Sequence, residues 1–260
     1  MTENISSSLL KLNTHFEVNT MTPGQARDKI IFALDVNGLS EIERFAELLS
    51  GKVGMFKIGK ELFTYCGVEA VRAVQRYGGE IFLDLKYHDI PNTVAKAMVS
   101  AARLGVRLTN LHALGGFEMM RSAATEVQRE FGDDRPRLLA VTILTSSTDE
   151  TLQQVGITLP VSEMVVRLAR LAQEAGMDGV VASPLEIGLI REACGPEFMI
   201  VTPGVRPKTA DIDDQKRIMT PGEAVAAGAD YLVIGRPIAR AADPVAAAEQ
   251  IAAEIVAVPL

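Results

Sequence analysis

From Asp28 onward the chain alternates short apolar runs with amphipathic ones, and it does so eight times. The strand-like runs are predicted at Ile30–Val36, Val53–Ile58, Glu80–Lys86, Thr109–Ala113, Leu138–Leu144, Gly179–Ala182, Phe198–Thr202 and Tyr231–Gly235. Helices are predicted between them, at Ser40–Leu49, Val68–Tyr77, Pro91–Leu104, Phe117–Phe131, Val161–Ala175, Leu185–Glu192 and Pro221–Ala227, with Pro244–Val256 closing the chain. Repeated strand–helix units imply parallel strands with right-handed crossovers, and eight of them close into a (β/α)8 TIM barrel. An open doubly wound sheet is the competing architecture. It normally carries a glycine-rich turn after its first strand, where this chain has Asp35-Val36-Asn37. The length of 260 residues suits one such barrel. The expected organisation is a short N-terminal arm over residues 1–27 and a barrel domain over residues 28–260.

Composition narrows the function classes. An apolar fraction of 48% supplies a sizeable core, and no continuous apolar run is long enough to span a bilayer. The net charge of −7 and an isoelectric point near 5.1 argue against a general partner role for nucleic acid or an anionic membrane. Cys66 and Cys194 are far apart and lack metal-type spacing, so reduced thiols in a cytoplasmic protein are expected. The first two dozen residues are polar and mixed without a secretory h-region, and read as a loose arm.

A barrel places its functional groups at the C-terminal ends of its strands. In the third predicted strand Ile81, Leu83 and Leu85 alternate with Phe82, Asp84 and Lys86, so a carboxylate and an ammonium share one face at the strand end. Asp89 follows at the turn, and Pro91 fits the first turn of the next helix. Asp35 ends the first strand. In the second strand Val53, Met55 and Lys57 are expected on one face, placing an ammonium above the apolar interior. Thr142-Ile143-Leu144-Thr145-Ser146-Ser147 brings hydroxyls to the same rim. Arg206 follows strand seven and Gly235-Arg236 follows strand eight, on the two loops where such barrels bind phosphate.

The stretch Asp84-Leu-Lys-Tyr-His-Asp-Ile-Pro-Asn-Thr93 resembles the signature of the orotidine 5′-monophosphate decarboxylase family in its bacterial form. Leu34-Asp35, Phe56-Lys57-Ile-Gly59, Leu144-Thr145-Ser146, Thr202-Pro-Gly-Val-Arg206-Pro, Asp214-Gln215-Lys-Arg and Ile234-Gly-Arg236-Pro are similar to the family's other blocks, in order and with compatible spacing. The resemblance runs from about Asp28 to the C-terminus and leaves out the arm.

The resemblance implies a cofactor-independent enzyme of de novo pyrimidine biosynthesis. It would remove the C6 carboxylate of orotidine 5′-monophosphate to give uridine 5′-monophosphate and carbon dioxide. Lys86 is expected to be the cation beside C6 and the proton donor, with Asp84 near the departing carboxylate. Lys57 and Asp89 would complete a Lys–Asp–Lys–Asp row. By the same resemblance Asp35 and Lys57 hold the ribose, and Thr145 contacts the pyrimidine. Arg206, Gln215, Gly235 and Arg236 hold the phosphate, with Gln215 on a closing loop. Ile90, Thr93 and Pro203 complete the substrate-binding set. Asp89 and Thr93 are expected to reach the neighbouring subunit's site, which makes the enzyme a homodimer. No metal is expected, and His88 and His112 read as structural.

Two rival readings have clear discriminators. A metal-dependent sugar-phosphate decarboxylase of the same barrel group would carry Glu where this chain has Lys57. A non-catalytic protein that binds nucleotide phosphates would have no use for the set of Lys57, Asp84, Lys86 and Asp89.

Overall fold

A computed structural model describes residues 21–207 and 219–258. Eight parallel strands, β1 (Ile30–Ala33), β2 (Met55–Gly59), β3 (Ile81–Tyr87), β4 (Leu108–His112), β5 (Arg137–Val141), β6 (Gly179–Val181), β7 (Met199–Pro203) and β8 (Tyr231–Ile234), pair in chain order. The ring closes where β1 pairs with β8, Ile31 opposite Val233. The alternation read from the sequence is thus a (β/α)8 barrel, not an open sheet.

Side-chain parity along each strand separates two apolar layers. Ile31, Met55, Phe82, Leu139, Val201 and Val233 point inward and fill the barrel. Ile30, Phe32, Phe56, Ile81 and Leu83 point outward and meet the helices. Those helices bury one stripe each: Val161–Glu174 buries Val161, Val165, Leu168, Ala169 and Ala172. The spacing is that of a single helical face. Helices Phe117–Phe131 and Pro244–Val256 have the predicted bounds. Gly105 and Gly176 follow helices with φ of 69° and 85°, a region costly for residues with a Cβ.

Several expectations need correction. Val53 does not share the inward face of Met55 and Lys57. It lies in the outer layer, because the chain bends at Gly54, where an added Cβ would meet the Asp28 carbonyl oxygen at 2.1 Å. Strand β1 stops at Ala33, and Asp35 turns back so that its N–H donates to the Ala33 carbonyl at 3.0 Å. Strand β5 ends at Val141 and leaves the following hydroxyls on a loop. Two short helices were not expected, Lys60–Cys66 and Asp149–Gln154; the latter is opened by a capping box at Thr148. The last residues of the expected arm lie in a helix, Pro23–Asp28, whose Ala26 is fully buried, so this part of the arm is packed and not loose. Among the described residues no helix is long and apolar enough to cross a membrane.

Candidate active site

The strand ends line a cavity of about 320 Å³ at the C-terminal face of the barrel. Nine of the residues singled out from sequence line it: Asp35, Lys57, Asp84, Lys86, Thr145, Pro203, Arg206, Gly235 and Arg236. Parity explains the selection. Lys57 stands two residues beyond inward-facing Met55, and Asp84 and Lys86 stand two and four beyond Phe82. The apolar floor of the barrel therefore ends in charge.

Those charges alternate. Lys57 Nζ lies 3.6 Å from Asp35 Oδ1 and 3.6 Å from Asp84 Oδ2, and Lys86 Nζ lies 2.5 Å from Asp84 Oδ1. The Lys57 and Asp84 side chains are only 12% and 11% exposed. Buried ion pairs lose hydration that their mutual attraction seldom restores in full, so a buried row of this kind points to function more than to stability. Glycines make room for it. A Cβ at Gly59 would sit 3.1 Å from Lys57 Nζ, and one at Gly235 would meet Ala33 Cβ at 3.2 Å. Two carboxylates and two ammoniums cancel. Arg206, after β7, and Arg236, which opens the short helix after β8, bring two guanidiniums to the same cavity.

The turn after Asp84 is unusual. Lys86 is the non-glycine residue with positive φ among the described residues, at 51°. A left-handed backbone costs a residue with a side chain about 1–2 kcal/mol. Such strain persists where surrounding bonds over-determine it, and it clusters at functional sites. Here the surrounding bonds come from Asn110, fully buried on β4. Its Oδ1 accepts the Lys86 N–H at 2.8 Å and its Nδ2 donates to Asp84 Oδ1 at 2.7 Å. Sequence reasoning passed over Asn110. The available signal was an amide at the centre of the strand next to the charged one.

Three expected site residues stay outside this cavity. Asp89, Ile90 and Thr93 are exposed where β3 gives way to helix Pro91–Ala102, and Asp89 Oδ1 accepts the Ile90 N–H at 2.6 Å. Within one chain the charged row is therefore Asp35–Lys57–Asp84–Lys86, and Asp89 is not its fourth member. Gln215 lies outside the described residues. Pro91 does open its helix, as its missing N–H favours.

His88 and His112, read from sequence as structural, lie with ring centroids 5.5 Å apart in a tilted pair. Burial, then the nearby positive charge of His88, Lys60 and Lys86, pushes the His112 imidazole down to about 4. A neutral ring is what that neighbourhood tolerates. Among the described residues no group of three or more His, Cys, Asp or Glu side chains is placed to hold a metal ion.

With this geometry in hand, comparisons with known proteins agree with one another. The model of the orotidine 5′-phosphate decarboxylase / HUMPS family matches residues 28–251. The orotidine 5′-phosphate decarboxylase of Pelobacter propionicus is 75% identical over 237 residues, covering 91% of this chain and 99% of that protein. The protein of the same name from Geobacter sulfurreducens is 66% identical, covering 91% of this chain and all of its own. The crystal structure of orotidine 5′-phosphate decarboxylase from Lactobacillus acidophilus superposes with a TM-score of 0.76 at 39% identity, covering 87% and 98% of the two chains. A barrel with alternating charge at its rim, matched along nearly its whole length at these identities, belongs to the orotidine 5′-phosphate decarboxylase / HUMPS family.

Proposed function

We propose that this chain converts orotidine 5′-monophosphate to uridine 5′-monophosphate and carbon dioxide, a step of pyrimidine biosynthesis, without metal or cofactor. The observation that carries the reading is the placement of Lys86 against Asp84 at 2.5 Å with Lys57 on Asp84's other oxygen, in the same cavity as Arg206 and Arg236. The phosphate sits at the two guanidiniums, beside Gly235, with Gln215 as a further contact. The ribose hydroxyls meet Asp35 and Lys57, and the pyrimidine lies against Thr145 and Pro203.

The chemistry then follows from charge. The C6–carboxylate bond breaks, carbon dioxide leaves, and the electron pair stays on C6. The Lys86 ammonium faces that pair, stabilises it and transfers its proton to C6. Two unit charges 4 Å apart interact by about 4 kcal/mol at an effective dielectric of 20. A fixed ammonium is therefore worth orders of magnitude in rate where solvent is excluded. Asp84 holds the Lys86 side chain through their contact at 2.5 Å and lies next to the carboxylate that must leave. Lys57, 3.6 Å from Asp84, puts a positive charge where a sugar-phosphate decarboxylase of the group would hold its metal through Glu.

The enzyme acts as a homodimer in which Asp89, Ile90 and Thr93 complete the partner's cavity. The support is their exposure, 66% for Ile90, together with their absence from the cavity of their own chain. An acidic chain with two free thiols suits a cytoplasmic setting. The test is the loss of ultraviolet absorbance when purified protein meets orotidine 5′-monophosphate, before and after a chelator. Turnover that is absent, or that vanishes with the chelator, refutes the metal-free decarboxylase reading.

A further inference from the structure

We infer that Asn110 is a positioning residue for this reaction: one amide, bonded both to the Asp84 carboxylate and to the Lys86 backbone, holds the catalytic pair in place. The inference rests on the decarboxylase reading above.

Strand pairing shows why a side chain is needed there. Phe82 pairs with Leu108 and Leu83 with Thr109, and pairing resumes only at Tyr87 with Leu111. Four steps along β3 thus match two along β4, so the regular ladder is interrupted across Asp84, Leu85 and Lys86. Asn110 is the β4 residue opposite that interruption. Its Oδ1 takes the place of a ladder carbonyl for the Lys86 N–H at 2.8 Å, and its Nδ2 donates to Asp84 Oδ1 at 2.7 Å. The same Asp84 oxygen accepts from Lys86 Nζ, which closes a ring through both catalytic side chains. Only one amide orientation satisfies this ring, because a backbone N–H can only donate and a carboxylate can only accept.

Loss of the amide leaves the Lys86 N–H without its acceptor, and the left-handed turn loses the bond that over-determines it. Asp84 also becomes free to rotate towards Lys57. The ammonium then moves relative to C6, while the phosphate-binding arginines across the cavity are untouched. The expected signature is a fall in kcat with nucleotide affinity preserved.

The test compares wild type, Asn110→Ala and Asn110→Asp. Misplacement by about 1 Å costs on the order of 100-fold in rate, so Asn110→Ala is expected to lose about that in kcat. Its Kd for uridine 5′-monophosphate should stay within about threefold of wild type. Asn110→Asp keeps the volume and the acceptor but replaces the donor by a second carboxylate against Asp84. Such a pair does not stay doubly ionised, and it takes up a proton above the ordinary carboxylate range. Asp84 already faces Lys86 Nζ at 2.5 Å and Lys57 Nζ at 3.6 Å, so the proton goes to the introduced carboxyl, which then donates as the amide does. The rate deficit of Asn110→Asp should therefore narrow as pH falls. A role in packing alone predicts a deficit that does not vary with pH. A crystal structure of Asn110→Ala reads the same inference without turnover, since Lys86 should leave its positive φ or lose its contact with Asp84.

The inference is overturned by an Asn110→Ala kcat within about threefold of wild type, or by equal losses in kcat and nucleotide affinity. It is also overturned by a pH-independent Asn110→Asp deficit, or by an unchanged Lys86 in the Asn110→Ala crystal. Wild-type protein inert towards orotidine 5′-monophosphate would instead refute the decarboxylase reading, and the crystal structure would still decide the role of Asn110 in placing Lys86.

Discussion

At Lys86 a long cationic side chain stands on a left-handed backbone with its ammonium 2.5 Å from Asp84. If that ammonium is both cation and proton donor, Lys86→Ala should lose nearly all turnover and still bind uridine 5′-monophosphate. Retention of a tenth of the wild-type rate, as a rough threshold, would end the assignment. A second residue-scale prediction concerns His112. Its pKa in the fold, about 4, lies below the unfolded value of about 6.5, so folding favours the neutral ring. The contribution is complete above the unfolded value and shrinks as pH falls towards 4, where the folded ring also takes up a proton. A nuclear magnetic resonance titration should place the His112 midpoint well below that of an exposed histidine, and an ordinary midpoint would disprove it. Lys57, Asp84 and Lys86 were legible because strand parity alone puts them on one inward face. Asn110 was not, because its role depends on a broken ladder between two strands, and no residue pattern announces where a ladder breaks.

At the element scale, the two ends of the strands do different work. The C-terminal ends carry the cavity, while the N-terminal ends carry pairs that hold the barrel. Asp178, immediately before β6, accepts from Arg135 at 2.5 and 2.8 Å, from Arg137 at 3.1 Å and from the Leu138 N–H at 2.7 Å. Burial by itself raises the Asp178 carboxyl, but the Arg135 guanidinium and the Leu138 N–H outweigh it and hold the group below its ordinary range. The stabilisation is therefore complete above about pH 4, the unfolded carboxyl value, and is lost as pH falls through the lower folded value. Asp178→Ala leaves a half-buried guanidinium unpaired, which costs about 3 kcal/mol and lowers Tm by roughly 6–12 °C. Activity well below the new Tm should be unchanged. A variant that melts like wild type, or that melts normally but loses turnover, would contradict this division of labour. Helix bounds were readable from one-faced apolar spacing, whereas Lys60–Cys66 and Asp149–Gln154 are too short for that spacing to register.

At the scale of the whole molecule, Asp89 tests whether one chain suffices. Lys86→Ala and Asp89→Ala homodimers are each expected to be nearly inactive. After mixing and subunit exchange, half of the dimers are hybrids, and one site in each hybrid has both residues intact. About a quarter of all sites should recover, by two-fold symmetry alone. A mass tag on one chain shows whether exchange has occurred. With exchange complete and no activity regained, Asp89 serves its own chain and the shared-site proposal is wrong.

The order of apolar and amphipathic runs was enough to decide a closed barrel. A parallel strand buried on both faces must read as a short apolar run, and eight such units in series leave no sheet edge to protect. The same linear pattern brought out the rim charges, since alternation along a strand is a local property. What only the tertiary structure decided is how those charges meet. Lys57 reaches both Asp35 and Asp84, Asn110 bridges Asp84 and Lys86, and Asp89 does not line the cavity of its own chain. Those relations depend on register between neighbouring strands and on a two-residue slip in β3, which arise only when separate segments are packed against one another.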